Sequence, residues 1–352
     1  MPGAGSWHAQ KSVINQPEIL KSNQWIMASH EDKSTYTSVK KRADAVIAIK
    51  TPTKTPKPQH QTSEQLWQNM ETLLNQSEFQ QLPILGTLLA EHLRKYPAPI
   101  VYQRIASLLQ QPNVSDESKA ILLDLLSEIA TPESLNQLIN LAQQGEDLPL
   151  YLLILQAISR IGDNRWDGKF HKELSPILEA AWSNPGITDQ AFLNAIGKAT
   201  ASIGAPQGVN QLLTTLSGNN TTNDTEETNR IKQTVAFEVI PQVRNPDAVD
   251  ILGAQLEKAP LGTPSFEASL NALSGIGSPK ATEKILDWAK DAQADGARTL
   301  TDSLSKIDDA DSLKNILAAQ SLEFQNPEIK SVVNNFAAGI NANTAATDFQ
   351  LP

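Results

Sequence analysis

The sequence predicts an all-α protein built as an α-solenoid, which is a stack of antiparallel helix pairs. A short phrase recurs along the C-terminal two-thirds of the 352-residue chain: an apolar helix end, a turn with glycine or proline, and a second apolar helix. Successive copies are 31 to 42 residues apart, a period typical of stacked helical repeats. Aromatic residues make up only 5% of the chain and β-branched residues rarely alternate, so strands are not expected.

The copies of the phrase define the repeats. Clear copies occupy residues 129–135, 203–209, 243–249 and 276–282, and looser copies begin at Ile161 and Ile307. Aligned on their turn prolines, or on the equivalent Asn164 and Ala310, they fall at positions 132, 164, 206, 246, 279 and 310. One helix pair cannot bury its apolar face alone, so successive pairs must stack on each other.

Each turn is expected to be short and fixed. Apolar residues recur at helical spacing before the first turn, within 122–129, and after it, within 135–139. The glycines Gly162, Gly204 and Gly277 fall where a helix ends in a left-handed residue. The proline that follows in most copies takes an early helical position, where its missing N–H costs nothing.

This pattern resembles HEAT-type repeats, a family of antiparallel helix pairs that build a curved α-solenoid. The resemblance covers residues 118–340, and residues 61–117 are expected to form the N-terminal helices of the same array. Residues 341–352 are expected to form a polar tail that covers the last stacking face. The resemblance implies that second helices line the concave face, but it implies no single function, because such arrays serve as scaffolds, cargo binders, regulatory subunits and occasionally enzymes.

Charge divides the chain at about residue 60. Residues 1–60 carry nine Lys or Arg and four Asp or Glu, a balance of +5, whereas the remaining 20 basic and 35 acidic residues give −15. The basic segment lacks sustained apolar periodicity and ends in a Pro/Lys/Thr-rich run, so we expect a disordered leader and linker, although its charge also suits docking on an acidic surface. The acidic array argues against a nucleic-acid groove.

The sequence also indicates the cellular compartment of the protein. No secretory signal pattern is recognisable, and no run approaches the roughly 20 apolar residues of a transmembrane helix. A cytoplasmic protein is therefore expected, the alternative being an exported protein whose signal is missing from this chain. The absence of cysteine excludes disulfides, thiol catalysis and cysteine-ligated metals.

No catalytic, metal or cofactor site is predicted, and we expect a protein that is not an enzyme. His92 flanks an apolar stripe and His171 lies in a loop, so neither is expected to be a ligand. The segment 163–168 looks like the start of a calcium loop, but Arg165 takes the third ligand position and Leu174 the twelfth. No nucleophile elbow or phosphate loop is present.

Two surfaces are candidates for binding a partner. An enlarged turn presents aromatic and basic residues typical of binding hot spots: Arg165, Trp166, Lys169, Phe170 and His171. The exposed positions of the second helices are rich in amides, which suit hydrogen bonding to a peptide backbone, and they include Asn136, Asn140, Gln143, Asn210 and the aromatic Trp288. The alternatives are that the aromatic side chains pack on adjacent helices and that the amides form an ordinary solvated face.

The sequence therefore predicts a non-enzymatic scaffold or adaptor that binds a protein partner through the concave face and the enlarged turn, with its oligomeric state left open. The alternative is a carrier of lipid or another apolar ligand, because large lipid-transfer proteins have helical domains with a similar phrase. A HEAT-like lyase or hydroxylase ranks last, since the pairs of His-Glu dipeptides typical of the hydroxylases do not occur.

Overall fold

The computed structural model describes residues 62–145, 147–163, 168–218 and 224–348, the last eight of them by backbone alone. The expected disordered leader, residues 1–60, lies outside them. Within the described ranges the chain forms sixteen α-helices and no strand, which confirms the all-α prediction. The helices are α1 Ser63–Asn75, α2 Leu82–Lys95, α3 Pro99–Leu109, α4 Asp116–Ile129, α5 Pro132–Gln144, α6 Leu148–Arg160, α7 His171–Ser183, α8 Gln190–Ile203, α9 Pro206–Leu216, α10 Glu226–Val239, α11 Val249–Lys258, α12 Pro264–Ile276, α13 Pro279–Asp291, α14 Ala297–Leu304, α15 Ala310–Ala319 and α16 Pro327–Asp348.

The helices form two layers. The even-numbered helices pack on one another in order from α2 to α16, and the odd-numbered helices do the same from α1 to α15. We call these the first-helix layer and the second-helix layer. Turns of two residues join α4 to α5, α8 to α9 and α12 to α13, so the helices of each pair run in opposite directions. This is the repeat arrangement that the recurring phrase predicts.

Proline and left-handed residues shape the two-residue turns. The second helices begin at Pro132, Pro206 and Pro279, whose rings fit the first helical position. The residue that follows the first helix is left-handed at Gly204 and Gly277, both with φ of 60°. Glycine adopts this conformation without the steric cost that a side chain adds.

Two turns differ from the expected pattern. Ala130 is left-handed, with φ of 46°, although it has a side chain. Gly162 does not have the positive φ that was predicted for it, so that prediction was wrong. A Cβ atom at Gly162 would lie 2.6 Å from the carbonyl oxygen of Ala199 in α8. The glycine is therefore needed because the backbones of neighbouring pairs approach closely, and not because of its own backbone conformation.

One continuous apolar core fills the space between the layers. The predicted stripes are buried on both sides of the first turn, with Leu122, Leu126, Leu135 and Leu138 fully inaccessible to solvent. Buried residues from every pair join in a single cluster. Stability along such a core comes from contacts within a pair and with the next pair.

Polar side chains also connect neighbouring pairs. The Arg94 guanidinium donates to the carbonyl oxygens of Glu128 and Ile129, the latter at 2.6 Å. Asn245 Nδ2 donates to the Ile203 carbonyl at 2.8 Å, and Ser312 Oγ donates to the Gly277 carbonyl at 2.6 Å. All four acceptor carbonyls lie at the ends of first helices, where carbonyl groups lack partners within the helix.

The C-terminal helix is longer than the sequence pattern indicates. Helix α16 continues to Asp348, through most of the segment 341–352 that was expected to be a tail. No glycine or proline occurs between 341 and 348, so no helix-breaking residue interrupts this part of the helix. None of the helices in the described part of the chain is long and apolar enough to cross a membrane.

Candidate functional site

The described part of the enlarged turn, residues 168–171, is only partly exposed to solvent. Arg165 and Trp166 lie outside the described residues. Lys169 is exposed, and its ammonium group lies 5.4 Å from the centre of the Phe170 ring. Phe170 is half-buried and contacts the apolar core. Phe170 is therefore not a freely exposed aromatic residue, and its role in binding a partner stays a prediction.

His171 is the first residue of α7 and is half-buried. Burial lowers the pKa of its imidazole below 6.5, because removal from water disfavours the charged form. Arg94 and Asp163 line the same small space, whose volume is about 10 Å³. A space of that size holds a single water at most, so this part of the turn forms no ligand pocket.

The amides of the second-helix layer are accessible. Asn136, Asn140 and Gln143 share one face of α5, and Asn210 lies on α9; all four are exposed. Among the residues that the structure describes, none of their side chains has a hydrogen-bond partner. Their donors and acceptors are thus available to an incoming group.

Trp288 is half-buried and not free in solvent. Its ring meets the ring of Phe266 in a T-shaped contact with centroids 5.2 Å apart. On another side the Trp288 ring covers Gly296, where an added Cβ would come within 3.4 Å. It therefore packs α13 against α12 and against the turn before α14, as the alternative proposed.

A polar cavity between α7 and α9 was not anticipated from the sequence. Its volume is about 270 Å³, and it is lined by residues of α7, α9 and α10 that include Glu179, Trp182, Asn210, Gln211 and Lys232. One sequence signal was available, because Lys232 falls at helical spacing with the buried 235–239 stripe of α10. A lysine at a core position needs a partner.

Hydrogen bonds within the wall fix its side chains. Lys232 Nζ lies 2.8 Å from Asp224 Oδ2, and both side chains are almost completely buried. The Trp182 indole donates to Thr215 Oγ1 at 3.1 Å. The Gln211 amide nitrogen donates to the Ser183 hydroxyl at 2.6 Å and to the carbonyl of residue 179 at 3.1 Å.

No catalytic or metal-binding constellation is evident in the described ranges. No group of three or more His, Asp or Glu side chains there is arranged to hold a metal ion. Ser63 Oγ lies 2.7 Å from His92 Nδ1, but Ser63 is only 5% exposed and also donates to the Tyr96 carbonyl at 3.2 Å. Neither of the two cavities described above is lined by this pair. The pair connects the start of α1 to the end of α2.

Comparisons with known proteins provide little guidance. No protein-family model and no curated protein matches the chain. A chain in the solved complex of CpcE and CpcF of phycocyanin lyase from Nostoc sp. PCC7120 matches with 17% identity, over 82% of this chain and 99% of its own length, with a TM-score of 0.28. A TM-score this low does not establish a common fold, so the fold assignment rests on the helices and layers of the chain itself.

That match nevertheless contradicts one expectation. The protein was predicted not to be an enzyme, yet the matched chain belongs to a lyase complex. The prediction is corrected accordingly: the repeat architecture and the missing sequence motifs do not exclude an enzyme. The helices and their two layers establish that the chain has an all-α, helical repeat-like fold.

Proposed function

We propose that the helical array binds a protein partner along its second-helix layer. The observation that carries the proposal is the row of exposed amides on α5, Asn136, Asn140 and Gln143, which have no side-chain partner within the described residues. Amide groups donate and accept at once, which matches the alternating N–H and C=O groups of a peptide chain. They also lose less hydration energy than charged groups when a partner covers them.

The repeat architecture supports the same proposal. Each pair adds another second helix to a continuous surface, so a partner can be contacted by several helices at once. A bound protein can serve as cargo or as a substrate, and recognition along this layer is common to both. A lipid carrier is less well supported, because the wall of the larger of the two cavities described here is mixed and more polar than apolar.

Site-directed photocrosslinking tests the proposal. The photoreactive residue p-benzoylphenylalanine replaces Asn140 on α5 in one full-length sample and Gln156 on α6 in the other. Both amides are exposed, but Gln156 belongs to the first-helix layer. After irradiation in a lysate of the source organism, we expect a discrete protein adduct from position 140 and not from position 156. Identical adducts from both positions, lipid adducts alone, or no protein adduct from position 140 would refute the proposal.

A pair of matched variants provides the second arm. Asn136→Ala/Asn140→Ala removes two amides from the second-helix layer, and Gln156→Ala/Gln190→Ala removes two exposed amides from the first-helix layer. We expect only the first pair to weaken capture of the crosslinked partner. Equal loss with both pairs would indicate an effect that does not depend on the proposed surface.

A further inference from the structure

The charged groups of the cavity between α7 and α9 determine what it can hold. Lys232 and Asp224 form a buried pair, so their charges offset each other at short range. Glu179 is half-buried and lines the cavity, and its Oε1 accepts a hydrogen bond from Ser175 Oγ at 2.8 Å. A carboxylate has capacity for further bonds at its second oxygen. The described wall therefore carries a net charge of −1, which comes from Glu179.

Neutral groups in the wall add acceptors. Because both hydrogen bonds of Gln211 are made through Nε2, its amide oxygen remains available to accept. Asn210 adds a second amide that has no side-chain partner among the described residues. At about 270 Å³, the cavity is slightly below the range of about 300–1,000 Å³ for small-molecule sites, a size that suits a single side chain.

We propose that this cavity receives one basic side chain, arginine or lysine, from the protein partner, with the Glu179 carboxylate as its ion-pair partner. The oxygens of Asn210 and Gln211 accept its remaining N–H groups. Basic side chains present only donors, which matches the carboxylate and amide oxygens available here. The net charge of −15 on residues 61–352 also favours the approach of a basic partner.

Anionic and neutral occupants fit less well. An anion would meet the Glu179 carboxylate, while Lys232 is only 1% exposed and already paired with Asp224. A neutral side chain would remove water from Glu179 without supplying an opposite charge, which is costly. This inference rests on the proposed function, since it identifies one side chain by which the proposed protein partner contacts the second-helix layer.

A peptide titration tests the cavity without requiring the partner. The full chain is labelled with ¹⁵N-tryptophan, and the indole signal of Trp182, assigned with Trp182→Phe, is followed by NMR. The ligands are acetyl-Gly-Arg-Gly-amide and the same peptide with citrulline, which is similar in shape but uncharged. We expect the arginine peptide to shift the signal with a Kd on the order of 1 mM, because a single part-exposed ion pair contributes little. The citrulline peptide should bind at least about fivefold more weakly.

Matched variants locate the interaction. Glu179→Gln keeps the size of the side chain and an oxygen that can accept a hydrogen bond from Ser175. It should lower the affinity for the arginine peptide by about fivefold or more. Glu173→Gln removes the same charge from an exposed position of α7 away from the cavity and should change the affinity less than about twofold.

Three results would overturn the inference: no shift of the Trp182 signal with the arginine peptide, equal binding of both peptides, or equal effects of the two variants. The crosslink from position 140 does not depend on the cavity. Failure of the titration while that crosslink persists would reject only the cavity, whereas loss of the crosslink would reject the proposed function.

Discussion

Gly204 and Gly277 provide a direct test of how the repeat turns are built. Both follow a first helix and share a φ of 60°, so an alanine meets the same backbone strain at either site. The available space differs. A Cβ at Gly204 would lie 2.5 Å from Asn245 Cβ, whereas the atom closest to a Cβ at Gly277 is the Ser274 carbonyl oxygen at 3.6 Å.

The expected losses follow from these distances. A left-handed alanine costs about 1–2 kcal/mol relative to glycine, partly offset because alanine restricts the unfolded chain. Gly277→Ala should therefore lower the free energy of unfolding by about 1 kcal/mol. At Gly204 the overlap adds about 1–3 kcal/mol. Displacing Asn245 also weakens its hydrogen bond to Ile203, worth about 1 kcal/mol, so Gly204→Ala should cost about 3 kcal/mol.

Urea unfolding followed by far-UV circular dichroism measures both variants against the parent chain, with equal m-values as the condition for comparing them. In an Asn245→Gly background the overlapping Cβ is gone, so Gly204→Ala should cost only about 1 kcal/mol. Equal losses for Gly204→Ala and Gly277→Ala, or no relief in the Asn245→Gly background, would refute the argument that contact with the next pair restricts this turn.

The same unfolding assay checks four further changes. Ala130→Gly should raise the free energy of unfolding by about 0.5–1 kcal/mol, because glycine relieves the left-handed strain. Arg94→Ala should lower it by about 3 kcal/mol, since two carbonyls at the end of α4 lose their donor. Lys232→Met should lower it by about 3 kcal/mol, because it removes the cation that lies 2.8 Å from the buried Asp224 carboxylate. The pKa of His171 is lower in the folded chain than in the unfolded chain. As pH falls below about 6.5, the unfolded chain therefore takes up the proton first, and the free energy of unfolding declines. His171→Gln should reduce that decline.

Controls distinguish these effects from general disruption. Arg94→Lys retains one cationic donor and should recover part of the loss seen with alanine. The pH series is restricted to pH 5.5–7, above the titration of ordinary carboxyl groups. An unchanged pH profile in His171→Gln, or a destabilised Ala130→Gly, would contradict the corresponding explanation.

The sequence predicted the repeat fold because its signals are local. Proline at the start of a second helix, as at Pro132 and Pro279, and an apolar stripe before it are visible within about 15 residues. The reason for Gly162 was missed because it involves Ala199, 37 positions along the chain in the next pair. Local pattern alone does not reveal which backbones approach closely.

Functional features were predicted less well for the same reason. The cavity combines Glu179, Asn210 and Lys232 from three helices, and no spacing rule connects them. The amides of α5 were recognised as exposed because they follow from a single helical period. The prediction that the protein is not an enzyme relied on missing local motifs, which is weak ground in a fold whose sites combine residues from separate repeats.

The side-chain hydrogen bonds between neighbouring pairs make the repeats non-interchangeable. A guanidinium at Arg94, an amide at Asn245 and a hydroxyl at Ser312 each satisfy carbonyl groups of a neighbouring pair, so each of these three junctions uses different chemistry. Duplicating, deleting or reordering one of these pairs would place a donor against the wrong acceptor and leave buried polar groups unmatched. The array can therefore change length by whole repeats only if the residues on both sides of the new junction change as well, a constraint that a consensus repeat protein, with identical junctions throughout, does not have.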